Sequence, residues 1–420
     1  MSTKIRSIGA IVIVALAIAA IILWVSRKTI SQNYVSKGIA LLQEKKYEES
    51  LILFKKAYKW YGKSAKALLG MSQAEYYLSL FPQAMDHVNQ SLQIDSLFSD
   101  AYFNRGLLDL KLDNKPRAIL DFSRVITLDS LNAQAYYHRG IARAGLADFK
   151  GSVEDYRKAM AMDKENIEAY LKSVEARTAL EDFKGAIGDY DKLLNIDLDN
   201  EEAYFNRGNL KLNLNDFDGA LADFNSSLKI NPDNIDVVFY RGIAYAQKSQ
   251  FQTAVKDLTK SVEYKHKLPK ALYNRALAYL YMKKLNDAER DLKELVNIEP
   301  ENAGAYLNLG TISSMKQDFQ GSIPYYDKAI SIKPDFAEAY LNRGVSKGNL
   351  KHYVESLPDY DKAIALNGNY AEAYYGRAVS EINLRQTEKA CKDLNKAKEF
   401  GFTAADDLLS IHCRQNKNSQ

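Results

Sequence analysis

The chain has 420 residues, 46% hydrophobic and 26% charged, with a formal net charge of +4. Charges of both signs are interspersed, so there is no basic arm or stripe of the kind that meets nucleic-acid phosphates. Its five histidines and two cysteines lack metal-ligand spacing, and nothing points to a metal or another cofactor.

The first element expected is an apolar helix. Lys4 and Arg6 precede residues 8–25, an uncharged run that ends near Trp24 and is followed by Arg27 and Lys28. At about 1.5 Å per residue such a helix spans roughly 27 Å, enough for a bilayer core. A cleavable signal shares this basic start and apolar run. However, the small-x-small triplets at 15–17 and 17–19 lie inside the run, and a Trp followed by two cations makes an interfacial border for a retained helix. We therefore expect residues 1–30 to be an uncleaved signal anchor, giving a single-pass membrane protein with the rest of the chain on the exported, periplasmic or envelope side. A cleaved signal is one alternative, and a cytoplasmic location is the other, because the cations flanking the run nearly balance.

Beyond the anchor the chain repeats every 34 residues. Units begin at Ser31, Ala65, Ser99, Ala133, Ile167, Glu201, Ile235, Pro269, Ala303, Ala337 and Ala371, and they run to residue 404 without insertion or deletion. The unit at 201–234 shows the plan. Tyr204, Gly208 and Leu212 recur at helical spacing, which marks positions 4, 8 and 12 as the packing face of a first helix. After a polar break at 213–216, Phe217, Ala220, Phe224 and Ser227 share one side of a second helix, which Pro232 and its polar neighbours end. Position 20 is Ala or Ser in every unit, as at Ser50, Ala84, Ala220 and Ala390, which fits two helices approaching too closely for a larger side chain. Such a hairpin cannot bury its apolar side alone and needs copies beside it.

The pattern resembles the tetratricopeptide repeat family. Tyr204, Gly208, Ala220, Phe224 and Pro232 match its motif, whereas Arg207, Lys211 and Ser227 depart from it. The resemblance implies an all-α, right-handed α-solenoid superhelix of about eleven helix-turn-helix units. It also implies a concave groove lined by the first helices, in which protein partners are held. Residues 405–420 follow as a capping helix and polar tail, so that the apolar end of the array is covered.

Two columns change from unit to unit in an informative way. Position 7 carries Arg105, Arg139, Arg207, Arg241, Arg275, Arg343 and Arg377, and position 23 of the same units carries Asp121, Asp155, Asp223, Asp257, Asp291, Asp359 and Asp393. Their joint appearance predicts structural ion pairs tying first helices to second helices. The fifth unit breaks the rule, with Ser173 opposite an Asp189 left without its Arg.

Position 6 carries Asn104, Asn206, Asn274, Asn308 and Asn342. With positions 2, 9 and 13 it forms a separate face of the first helix. In some superhelices of this family asparagines at this position clamp a peptide backbone, and a carboxamide offers both the donor and the acceptor needed. His138, Lys172, Tyr240 and Gly376 interrupt the series. The other reading is that these asparagines cap or cross-link helices or are solvated. Beside them Phe205, Phe239 and Tyr273 are candidates for the groove wall.

Cys391 and Cys413 stand 11 residues either side of Phe402, so a hairpin there could bring them together as a disulfide in an oxidising compartment. Two buried free thiols are the alternative. No catalytic motif is found, and the repeats leave no room for a catalytic domain or an evident small-molecule site. The expected function is a non-enzymatic, membrane-tethered scaffold for partner polypeptides. The alternative is a receptor or assembly factor that delivers client proteins to a membrane or envelope machine.

Overall fold

The computed structural model describes residues 2–413, with side chains from Val12 onward. The described residues form 23 helices and no strand. The first helix, α1 (Ser2–Gln43), is 42 residues long. Its stretch from Val12 to Gln43 contains an 18-residue window with a mean hydropathy of 1.9, none of it buried against protein. That helix is long and apolar enough to cross a membrane. No Gly or Pro stands between residues 10 and 37, so nothing stops the helix before it becomes the first helix of the first repeat. The next helix, α2 (Tyr47–Trp60), returns antiparallel, and α3 (Ala65–Tyr77) opens the second repeat.

Helix pairs of similar length follow to the C-terminal end, and local chemistry sets their ends. Asn132, Asn166 and Asn302 accept the amides of Ala135, Ala169 and Ala305 at the start of first helices. Asp148, Asp216 and Asp318 do the same for Gly151, Gly219 and Gly321 at the start of second helices. Each such cap contributes about 1 kcal/mol. Within each pair the turn passes through one left-handed residue, from Lys45 through Ala147 and Asn215 to Arg385. All eleven have φ between 57° and 65°, and none is glycine.

The chain forms two compact units, residues 1–203 and 204–420. In the first, buried Phe54, Ala57, Leu68 and Met71 make one cluster, and Ala84, Val88 and Leu108 make another. In the second, Phe224 packs with Val237 and Ala244, and Leu292 packs with Leu309 and Ile312. Many small cores in place of a single large one are what a quasi-one-dimensional array produces. Gly208 shows the closeness of helix contact: a Cβ there would stand 2.7 Å from a ring carbon of Phe224.

The buried face of the first helices matches the expected positions 4, 8 and 12 only in part: position 8 is buried in every unit, as in Gly208, Gly242 and Gly310. From the second unit onward position 3 is fully or almost fully buried, as in Ala101, Ala135, Ala271 and Ala305, and so is position 10 except at Leu210, as in Leu108, Ala142, Ala244 and Ile312. Position 12, as in Leu110 and Leu212, is only half-buried. A first helix is covered both by its own second helix and by that of the preceding repeat, so the buried stripe lies between the two.

At the C-terminal end, Ala405–His412 forms a short helix. Ala405 is buried with Ala390, Leu394 and Ala397, and Phe402 packs on Tyr375 with ring centroids 4.8 Å apart. Cys391 and Cys413 form a disulfide with their Cα atoms 5.7 Å apart. The polar tail at 414–420 lies outside the described residues.

Candidate partner-binding face

An ion-pair system fixes the first helices against the second. Arg105 donates from Nε and Nη2 to the two carboxylate oxygens of Asp121, both at 2.7 Å. The same two-pronged grip joins Arg139 to Asp155, Arg207 to Asp223, Arg241 to Asp257, Arg275 to Asp291 and Arg377 to Asp393. Arg343 holds Asp359 through the same two nitrogens. The guanidinium groups of Arg105, Arg139, Arg207, Arg343 and Arg377 also lie within 5.5 Å of the ring centroid of the Tyr three residues before. A ring face is a favourable seat for a cation.

Two further members of this system escaped the sequence reading. Nη1 of Arg105 reaches back one repeat to Asn89, and Arg139, Arg241, Arg275, Arg343 and Arg377 reach Ser123, Asn225, Thr259, Asp327 and Asp361. All six acceptors occupy position 25. Where position 7 lacks Arg, at Met71, Ser173 and Leu309, position 25 of the preceding repeat is Lys55, Arg157 or Lys293. A cation there would repel the guanidinium, so both columns change together.

Position 11 supplies a second cation. Arg143, Lys211 and Lys347 approach Asp155, Asp223 and Asp359 at 2.8 to 2.9 Å. This corrects the expectation for the fifth unit. Asp189 is not without its Arg, because Arg177 at position 11 donates to it at 2.8 Å and Ser173 Oγ donates at 2.6 Å. In the second unit the polarity is reversed, and His87 pairs with Glu75 at 2.7 Å. That contact holds the imidazole above its usual pKa, against the opposing effect of burial.

Position 11 of the last unit is Glu381, which is buried and has one carboxylate oxygen without a hydrogen-bond partner. Burial, and then the charge of Asp393, raise its pKa to about 7. Among the described residues no group of three or more His, Cys, Asp or Glu is disposed to hold a metal ion.

The candidate asparagines fall into different surroundings. Asn104 is buried and accepts a 2.7 Å bond from Ser72 Oγ of the preceding repeat, so it cross-links first helices and is closed to a partner. Asn206, Asn274, Asn308 and Asn342 are half-buried. Asn274 donates to the carbonyl of Lys270 in its own helix, and Asn308 stands 3.4 Å from the hydroxyl of Tyr273. Of the candidate wall residues, Phe205 and Tyr273 are half-buried. Phe239 is only 1% exposed and packs with Ala254, Leu258 and Ala271, so it belongs to the core. His138, one of the interruptions at position 6, stacks on Phe122 with ring centroids 5.7 Å apart. Its burial lowers the imidazole pKa to about 4, so it is neutral at pH 7 and acts as an aromatic core residue.

A cleft of about 630 Å³ opens on this face near the C-terminal end, lined chiefly by Leu341, Val345, Tyr375, Val379, Asn383 and Phe402. They come from positions 5, 9 and 13 of the last two repeats and from the segment joining the final helix. Gly376 at position 6 leaves the cleft its depth: a Cβ there would stand 2.5 Å from a ring carbon of Tyr360.

Sequence profiles of the tetratricopeptide repeat match residues 133–166, 201–234 and 273–337. Two of these spans start on the register derived above, and the chain belongs to the tetratricopeptide repeat family. No curated protein matches its sequence. Among solved structures, a tetratricopeptide repeat protein from Parabacteroides merdae is similar at 19% identity and a TM-score of 0.47, covering 59% of this chain and 98% of that one. Yeast Tom70 is similar at 15% identity and a TM-score of 0.39 over 92% of this chain and 95% of that one. YrrB, described as a tetratricopeptide repeat protein with an unusual peptide-binding site, is similar at 17% identity and a TM-score of 0.40 over 44% and 95%.

Proposed function

We propose that this chain is a non-enzymatic scaffold, tethered to a membrane by α1, that holds extended polypeptide segments against the first helices of its repeats. The observation that carries the reading is the cleft at Leu341, Val345, Tyr375, Val379 and Phe402. It is an apolar recess on the same helix face as the half-buried carboxamide of Asn342. An apolar recess can anchor one partner side chain, and a carboxamide can pair with the adjoining main chain. The even spacing of Asn274, Asn308 and Asn342 supports an extended segment over a folded partner. The long apolar window of α1 supports the tether, and the disulfide between Cys391 and Cys413 supports an oxidising compartment for the repeats.

The test is affinity capture and crosslinking from native membranes with the full chain, compared with two variants. Replacing Asn274, Asn308 and Asn342 together by Ala, or Val345 and Val379 together by Glu, is expected to abolish capture of the partners that the parent chain retains. Both variants alter partly exposed side chains, so the thermal transition should hold within a few degrees. Capture unchanged in both variants would overturn the reading.

A further inference from the structure

The antiparallel return of α2 brings its C-terminal end back to the place where the apolar part of α1 stops. Tyr61 meets Trp24 edge to face, with ring centroids 6.1 Å apart, and Lys28 Nζ lies 5.2 Å from the centroid of the Trp24 ring. Around this level stand Arg27, Lys28, Lys56, Lys59, Lys63 and Lys66, all exposed. Among the described residues none of the six has a carboxylate partner, in contrast to the arginines of position 7. The chain has no acidic residue at 1–43 or at 50–74. Glu44, Glu48 and Glu49 lie at the opposite end of the hairpin, in or beside the turn that joins α1 to α2. The hairpin is thus strongly polarised, with its positive end at the border of the apolar helix.

Two clefts flank α1 at this end. One, of about 550 Å³, is lined by Lys28, Ser31, Tyr61, Ser64 and Lys66 among others. The buried Ser31 Oγ has no hydrogen-bond partner. The other, of about 450 Å³, is lined by Arg27, Tyr34, Lys56, Lys59 and Trp60. Trp60 is 45% and Trp24 50% exposed, although indole rings are usually well buried in soluble domains.

Cations that can donate to phosphate oxygens, rings suited to the interfacial zone and adjacency to an apolar helix coincide only where a bilayer surface meets a protein. We propose that the first repeat is a lipid-binding element, whose two clefts receive the phosphate headgroups of anionic phospholipids while Trp60 enters the interfacial layer. This rests on α1 being a membrane span. Each cation near an anionic surface strengthens association about fivefold, so the cluster would seat the first repeat on the bilayer and leave it no freedom to float above it.

The experiment uses the full chain carrying Trp24→Phe, which leaves Trp60 as the sole tryptophan. It is reconstituted into vesicles of phosphatidylcholine, alone or with about a third phosphatidylglycerol, both containing a lipid spin-labelled at the headgroup. The expected result is Trp60 quenching at least twofold stronger in the anionic vesicles. It should fall to the neutral level in the variant Lys56→Gln, Lys59→Gln, Lys63→Gln, Lys66→Gln, and at 1 M salt, where the Debye length shrinks to about 3 Å. Four exposed substitutions leave the core untouched, and an unchanged circular dichroism melt verifies this. Equal quenching in the two lipids, or none in either, overturns the lipid site while the tether stands, provided the chain resists alkaline extraction. A chain released by alkaline extraction overturns both.

Discussion

Arg275 grips Asp291 through Nε at 2.6 Å and Nη2 at 2.8 Å, and the two residues are only 7% and 0% exposed. This is the most deeply buried rung of the ladder. Burial opposes the guanidinium charge, yet the hydrogen bonds and charge of Asp291 raise its pKa overall. A buried pair is weak evidence of net stability, but breaking one side of it is costly. Arg275→Ala, which strands a desolvated carboxylate, is expected to destabilise the array by about 3–5 kcal/mol. Arg275→Met with Asp291→Leu should recover most of that loss. A double-mutant cycle in urea denaturation checks both, and a single variant costing less than about 1 kcal/mol would contradict the burial argument.

Glu381 predicts a pH effect of definite sign. Its pKa rises from the usual 4.5 to about 7 on folding, so the folded chain binds more protons between those values. Its contribution is therefore fully present below about pH 4.5 and is lost as the pH rises through 7. Glu381→Gln should melt at a higher temperature than the parent at pH 8 and at nearly the same temperature at pH 4.5. Thermal scans across this range would show the gap widening with pH. A constant gap would place its origin outside the titration.

The turns offer a route to stabilisation. Ala147 sits at φ 61°, where a Cβ costs roughly 1–2 kcal/mol. Glycine removes that cost but gains freedom in the unfolded chain. Ala147→Gly is therefore expected to gain about 0.5–1 kcal/mol, and Asn215→Gly less, because asparagine tolerates this conformation. Differential scanning calorimetry of the two variants should rank them in that order.

The staple at the C-terminal end has a measurable role. Cys391 and Cys413 enclose a sequence separation of 22 residues, for which loop closure contributes about 3 kcal/mol. Cys391→Ser, or reduction, should raise amide exchange in the helix Ala405–His412 and in the adjoining core at Ala397, while exchange near Phe224 stays unchanged. Equal acceleration in both regions would mean that the staple acts on the whole array.

Most of the framework was legible from the fixed step of 34 residues. Arg and Asp at positions 7 and 23 could be paired on paper because they appear and disappear together. The arginine of the fifth unit was not legible, since Arg177 reaches Asp189 from one helical turn further along, a column that mixes cations such as Arg143 and Lys211 with Glu75, Tyr245 and Ser313. Nor did the Asn column announce that Asn104 would be covered. That depends on Ser72 one repeat earlier, a polar partner where the neighbouring units have Gly38, Gly106 and Gly140. The acceptors at position 25 were visible in the residues but lie across a repeat boundary, where comparison within single units does not look.

The continuity of α1 through Gln43 also bears on mechanics. A scaffold on a flexible leash reports the capture of a partner to nothing beyond itself. A helix without a joint is a stiff shaft, and a load applied to the first repeat is felt as torque within the apolar segment. In the proposed tethered arrangement, a partner pulling on the repeats would tilt or turn that segment.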